Sequence, residues 1–135
     1  IIEKLLKKGL KVTPQRIAVM EAIEFLKNHP TAENVIDFVK KHHPNIAAGT
    51  VYKVLETFVE KKLVAKVKTD KDIMRYELNS DVHHHLYCAE SDRIEDYKDE
   101  GLNTLLKNYF KKKKLTGFKI NDIRLQIIGT FLDNQ

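Results

Sequence analysis

Cysteine occurs once in the 135 residues, at Cys88, and tryptophan does not occur at all. A single thiol excludes an internal disulfide and any multi-thiolate zinc cage within one chain. Any metal bound here is therefore held through nitrogen and oxygen. No apolar run approaches the length of a membrane span, and no charged-then-apolar leader opens the sequence. The chain reads as a cytoplasmic protein with no membrane partner. Proline is scarce, and Pro14, Pro30 and Pro44 each fall where a helix starts or stops.

What is present is a hydrophobic share of 42%, enough for a real core, and a charged share of 32%, which suits a protein in water. The length fits one compact domain or two small ones. The net charge of +5 is unevenly spread: residues 1–80 carry 15 Lys and Arg against 10 Asp and Glu, whereas residues 81–135 carry nine of each. A basic front and a balanced rear point to one module for a polyanion and another for a different task.

Apolar residues at Ile1, Ile2, Leu5 and Leu6 predict a short helix that stops at Gly9. Thr13 followed by Pro14 is a capped helix start, with Ile17, Val19, Met20, Ile23, Phe25 and Leu26 as its buried side and Asn28 to Pro30 as its end. Thr31 caps the next helix, whose stripe is Val35, Ile36 and Val39, until His42, His43 and Pro44 break it. A further helix from about Ala48 to Lys62 turns Val51, Val54, Leu55, Phe58 and Val59 inward. Two strand-like runs at 63–69 and 73–78 follow. Helices followed by a small hairpin predict a winged helix-turn-helix. Its last helix would present Thr50, Tyr52, Lys53 and Glu56 to a major groove.

From Tyr76 to Tyr97 the composition changes. His83, His84 and His85 stand in a row among Glu77, Asp81, Glu90, Asp92, Glu95 and Asp96, with Arg93 alone to balance them. On a strand, His83 and His85 share one face and His84 points to the other with Leu86 and Cys88. Two imidazoles at that spacing make a chelate for a divalent cation. Adjacent solvated histidines are the plainer alternative. A strand near 93–97, a helix from about Asp99 to Lys114 and a strand over 118–132 complete a small α/β module, too small to be comfortable without a partner. The lysines at 111–114 suit a solvated helix end at the negative pole of the dipole.

Taken together, GLKVTPQR at 9–16, HPTAENV at 29–35, GTVYKVLETF at 49–58, the histidine strand and GFKINDIRLQIIG at 117–129 resemble the ferric uptake regulator family, in order and over essentially the whole chain. The peroxide-sensing branch of that family is the most similar. The resemblance implies an α+β protein: a winged helix-turn-helix for DNA over residues 1–79, with a hinge at its end, and an α/β dimerisation and metal-sensing domain over 80–135.

It further implies one regulatory divalent metal per subunit, Fe²⁺ or Mn²⁺ with Zn²⁺ able to bind in vitro, on His29, Glu77, His83, His85 and Asp96. His29 by itself reads as a loop histidine before a proline. Asp96 matches the short carboxylate of peroxide sensors, while Glu95 beside it would, after a shift of one residue, suit an iron sensor. DNA-contact roles fall on Tyr52, Lys53, Lys11, Arg16 and Thr50, although Arg16 also has a plain local-pairing role and Tyr52 a plain packing one. A structural zinc is not expected, because Ser91 replaces the partner of Cys88, while Phe131 and Asn134 stand at the second pair. The additional histidine-rich site of some relatives is dismantled by Val82, Asn103 and Ile123.

The function implied is a homodimeric repressor that leaves operator DNA when its ligand histidines, His29 or His83, are oxidised. The alternatives are an iron, zinc or manganese uptake regulator of the same family and, in a different class, a mononuclear non-haem metalloenzyme.

Overall fold

Six helical residues, Ile2–Lys7, form α1, and its only buried side chain is Leu5. Three amphipathic helices follow: α2 (Pro14–Leu26), α3 (Ala32–His42) and α4 (Ala48–Glu60). The start of α2 is set by the Thr13 hydroxyl, which accepts from the Arg16 N–H at 3.2 Å, and by Pro14 at a position where its missing N–H costs nothing. A reciprocal capping box opens α3, with Thr31 Oγ1 accepting from Asn34 N–H and Asn34 Oδ1 from Thr31 N–H. The strands β1 (Val64–Lys68) and β2 (Met74–Leu78) pair antiparallel as the wing, with Val64 opposite Leu78 and Lys68 opposite Met74.

The computed structural model describes residues 1–69, 71–78 and 84–132. Contacts divide the chain into two compact units, Ile1–Asn79 and Ser80–Gln135. In the first, Leu5, Val19, Met20, Val35, Val39, Leu55 and Phe58 are fully enclosed and Tyr76 closes the core from the wing. Each large apolar side chain enclosed in this way contributes about 1.5–3 kcal/mol of burial free energy.

One expected core residue is misplaced by the sequence. Phe25 is 71% exposed. The buried residues of α2 are Ala18, Val19, Met20, Ala22 and Ile23, and Phe25, in the last turn, falls at the edge of that stripe, where the core no longer covers it. It rests instead on Phe38, with centroids 5.0 Å apart, and Phe38 stacks on His42 at 4.2 Å.

The second unit is a three-stranded sheet in the order β4–β3–β5, made from β3 (His84–Cys88), β4 (Arg93–Tyr97) and β5 (Gln126–Ile128), with the helix α5 (Glu100–Lys113) between β4 and β5. β3 and β4 run antiparallel, and β3 and β5 run parallel. The start of α5 is capped by Asp99, which accepts from the Leu102 N–H at 2.9 Å and from the Tyr97 hydroxyl at 2.7 Å. Those bonds, the Leu102 amide first, hold the Asp99 carboxyl below its ordinary pKa.

The long final strand expected over 118–132 is corrected here: among the described residues only Gln126–Ile128 pairs. Apolar parity explains this, since Phe118 and Ile120 occupy even positions but Ile123, Leu125 and Ile127 odd ones. The break falls where Asp122 Oδ1 takes the Ile123 N–H at 2.9 Å, a local bond that competes with strand pairing. Among the described residues no helix is long and apolar enough to cross a membrane.

Candidate functional site

In the first unit, His29 lies in the loop between α2 and α3, and its ring meets the wing. His29 Nε2 is 2.6 Å from Glu77 Oε2, and both side chains are largely buried, at 7% and 14% exposure. The loop reaches this position through an unusual backbone: Lys27, Asn28 and His29 all have positive φ, at 46°, 48° and 59°. Non-glycine residues in that region cost about 1–2 kcal/mol each. What holds them is β2. Tyr76 N–H donates to Pro30 O at 2.8 Å, Thr31 bridges Arg75, and Arg75 Nη1 donates to His29 O at 2.9 Å. Strand alternation puts Arg75 and Glu77 on one face and sends Tyr76 into the core. Arg75 grips the backbone of the loop while Glu77 meets its ring. Sequence reasoning missed Arg75, although its two-residue spacing from Glu77 was the available signal.

In the second unit, His85 and Asp96 are register partners on β3 and β4, and His85 Nε2 is 3.2 Å from Asp96 Oδ1. Glu95 is opposite Leu86 and bonds Arg93 through Arg93 Nε at 2.8 Å. The short carboxylate, not the long one, therefore meets His85. His83 lies outside the described residues.

His84 turns to the other face of β3 and is 1% exposed. Its Nδ1 accepts from Leu125 N–H at 3.0 Å, so the proton of the neutral ring sits on Nε2, which donates to Asn103 Oδ1 at 2.5 Å. His84 is thus a satisfied structural histidine that ties β3 to α5 and to the approach of β5.

The two histidine–carboxylate pairs can be compared with what a divalent ion asks of its donors. Ligands at about 2.1 Å on neighbouring vertices lie about 3.0–3.4 Å apart. The 3.2 Å between His85 and Asp96 already fits, and the 2.6 Å between His29 and Glu77 opens to fit by a few tenths of an ångström. An all-nitrogen-and-oxygen set suits Mn²⁺ and Fe²⁺, and binds Zn²⁺ at least as well by intrinsic affinity.

Around Cys88, buried at the end of β3, Ser91 stands where the resemblance would put the partner of a thiolate pair, the replacement because of which no structural zinc is expected. Hydrogen bonds from the Ser91 hydroxyl and then its backbone N–H draw the Cys88 thiol below its ordinary pKa. The Phe131 ring lies 4.1 Å from the Arg93 guanidinium, beside the β3–β4 turn.

Of the residues expected to meet DNA, Tyr52 on α4 is 49% exposed and Lys53 is exposed beside it. Tyr52 therefore does not pack away. Tyr76, buried beneath them, has its phenol pKa raised by burial and then by nearby Tyr52 and Glu56. Arg16 Nη1 donates to the Lys11 carbonyl at 3.0 Å, so the two act as one local unit in which Lys11 stays exposed. Thr50 is half-buried in the first turn of α4.

Residues 7–128 match the ferric uptake regulator family model. The peroxide operon regulator of Bacillus subtilis is 30% identical over 128 residues, which are 95% of this chain and 86% of that one. Among solved structures, the ferric uptake regulator of Pseudomonas aeruginosa with manganese is 25% identical, covers 94% of each chain and has a TM-score of 0.79. A Campylobacter jejuni peroxide stress regulator is 28% identical, with 98% of this chain and 96% of that one covered and a TM-score of 0.74.

Proposed function

The chain belongs to the ferric uptake regulator family, whose members regulate transcription and are not enzymes, and from that premise we propose a homodimeric, cytoplasmic, peroxide-sensing repressor of operator DNA. The observation that carries the reading is the pairing of His29 with Glu77 and of His85 with the short carboxylate Asp96. The metalloenzyme reading falls with the family assignment.

In this reading His29 and Glu77 from the first unit join His83, His85 and Asp96 from the second on one Fe²⁺ or Mn²⁺. The first unit reads DNA through Tyr52 and Lys53 on α4, supported by Thr50, Lys11 and Arg16. The second unit makes the dimer. With both units committed to one set of ligands, two recognition helices are held about 34 Å apart, one turn of a palindromic operator. Without that commitment, ordering the hinge opposes DNA binding, and a coupling of about 1–3 kcal/mol shifts affinity about fivefold to 150-fold.

Bound Fe²⁺ supplies the reduction of peroxide and the transfer of an oxygen to a ligand imidazole, chemistry that Mn²⁺ does not support. The protein's part is to present the His29 ring on a backbone pinned by Arg75 and Tyr76, so that losing one ring–ion bond frees the ring from the second unit's ligands while the loop stays on β2. The side chain at 96 separates the two branches: Asp96, one methylene shorter than Glu95, is the group that meets His85.

Mass spectrometry of the Fe²⁺-loaded protein after H₂O₂ tests this reading. One added oxygen on a peptide containing His29 or His83, with loss of operator binding, is expected. Unmodified histidines with binding intact would replace it with control of metal uptake.

A further inference from the structure

Outside the metal ligands and α4, the second unit has an open cleft of about 390 Å³ between α5 and residues 120–123. Its volume falls within the range of small-molecule pockets. Leu106 and Phe110 from the helix and Ile120 and Ile123 from the facing segment form its apolar lining, and all four are half-buried. The polar groups at its rim are unusual in sign. Lys107 and Lys111, one helical turn apart on α5, both line it, and neither forms an ion pair among the described residues.

The acceptors that would balance these lysines are already used. Asp122 gives Oδ1 to the Ile123 N–H at 2.9 Å and Oδ2 to Arg124 Nε at 3.0 Å, so its charge is met by a guanidinium. Asn103 gives its Oδ1 to His84. Because the His84 Nδ1 is occupied as an acceptor by Leu125 N–H, the bond to Asn103 must run from Nε2–H to oxygen, which leaves the Asn103 NH₂ as the group free to donate. The cleft thus offers two ammonium groups and an amide donor above an apolar floor.

We propose that this cleft binds an amphiphilic organic anion, a carboxylate or phosphate monoester head on an apolar body. The head sits between Lys107, Lys111 and the Asn103 amide, and the body lies against Leu106, Phe110, Ile120 and Ile123. A neutral ligand would leave both lysines unanswered, and a cation would meet them as like charges. The binding does not depend on the metal reading, since it uses none of those ligands.

Titration of the full-length protein with sodium octanoate, followed by backbone amide shifts and calorimetry, tests it, with octan-1-ol as the uncharged comparison. Saturable shifts over residues 103–111 and 120–124 are expected, with octanoate tighter than octanol. The exposed double substitution Lys107→Gln and Lys111→Gln should weaken octanoate about tenfold and leave octanol unchanged. Ile123→Trp, which fills the cleft, should remove both. No saturable shift, equal affinity for acid and alcohol, or indifference to the double substitution would each overturn the proposal. Octanoate binding that grows only as the protein is diluted to monomer would also overturn it, because the cleft would then belong to a second copy of the chain.

Discussion

Lys27 has φ 46° and ψ −166°, a region that glycine enters and lysine does not. Lys27→Gly should therefore raise the stability by about 1 kcal/mol despite the larger entropy of its unfolded chain, and urea denaturation measures it. A loss of stability would show that the loop carries no such strain. Asp99 gives a prediction in pH. Its carboxyl is held low by the Leu102 amide and then the Tyr97 hydroxyl, so its contribution is present above the ordinary aspartate pKa of about 3.9 and is lost as pH falls through the lower folded value. Stability curves of Asp99→Asn should be flatter than the parent's on the acid side below about pH 4, with the difference constant above it.

Legibility at this scale depended on whether a side chain's partner was near in sequence. Thr13 and Thr31 announced themselves because their caps lie three residues away. His29 did not, since its partners Glu77 and Arg75 lie on β2, more than forty residues on. Only the resemblance to the family placed it. His84 could be set apart from its neighbours by strand parity, but nothing local announced the Asn103 and Leu125 bonds that occupy its ring.

Among the elements, α4 carries the clearest consequence. Its inner face of Val51, Val54, Leu55 and Phe58 is buried, and the outer face leaves Tyr52 and Lys53 in water. A phosphate-contacting lysine adds a sequence-independent, salt-sensitive increment. Lys53→Ala should lower affinity for duplex DNA and reduce the magnitude of the slope of log K against log salt by about 1, as read by fluorescence anisotropy at several salt concentrations. An unchanged slope would remove Lys53 from the interface.

The four helices and the wing could be read from the sequence because capping, period and proline agree there. The segment 118–132 could not, because strand propensity counts apolar residues without their parity. The bond from the Ile123 N–H to the Asp122 carboxylate interrupts a promising strand, leaving an irregular approach to three paired residues.

Both units leave large apolar side chains in water, and in the second they fall on its helix and its edge strand. Leu105 and Tyr109 on α5 are 64% and 55% exposed, and Ile127 and Ile128 on the edge strand β5 are 44% and 61%. None of the residues of α5 is buried. A lone module of this size with so much uncovered apolar area favours self-association. Ile128→Glu, on a side chain that is not part of the folded core, should turn the proposed dimer into monomer in sedimentation at micromolar concentration with its circular dichroism intact. A dimer that persists would place the interface away from β5.

The positive-φ backbone at Lys27 also bears on where the chain can be cut. Trypsin-like proteases take their substrates in extended form, and a lysyl bond held at positive φ cannot lie in such a cleft. In a protein with many exposed lysines, the bond after Lys27 should be among the last cut while Arg75 and Tyr76 hold the loop, and its scission would mark the loop's release.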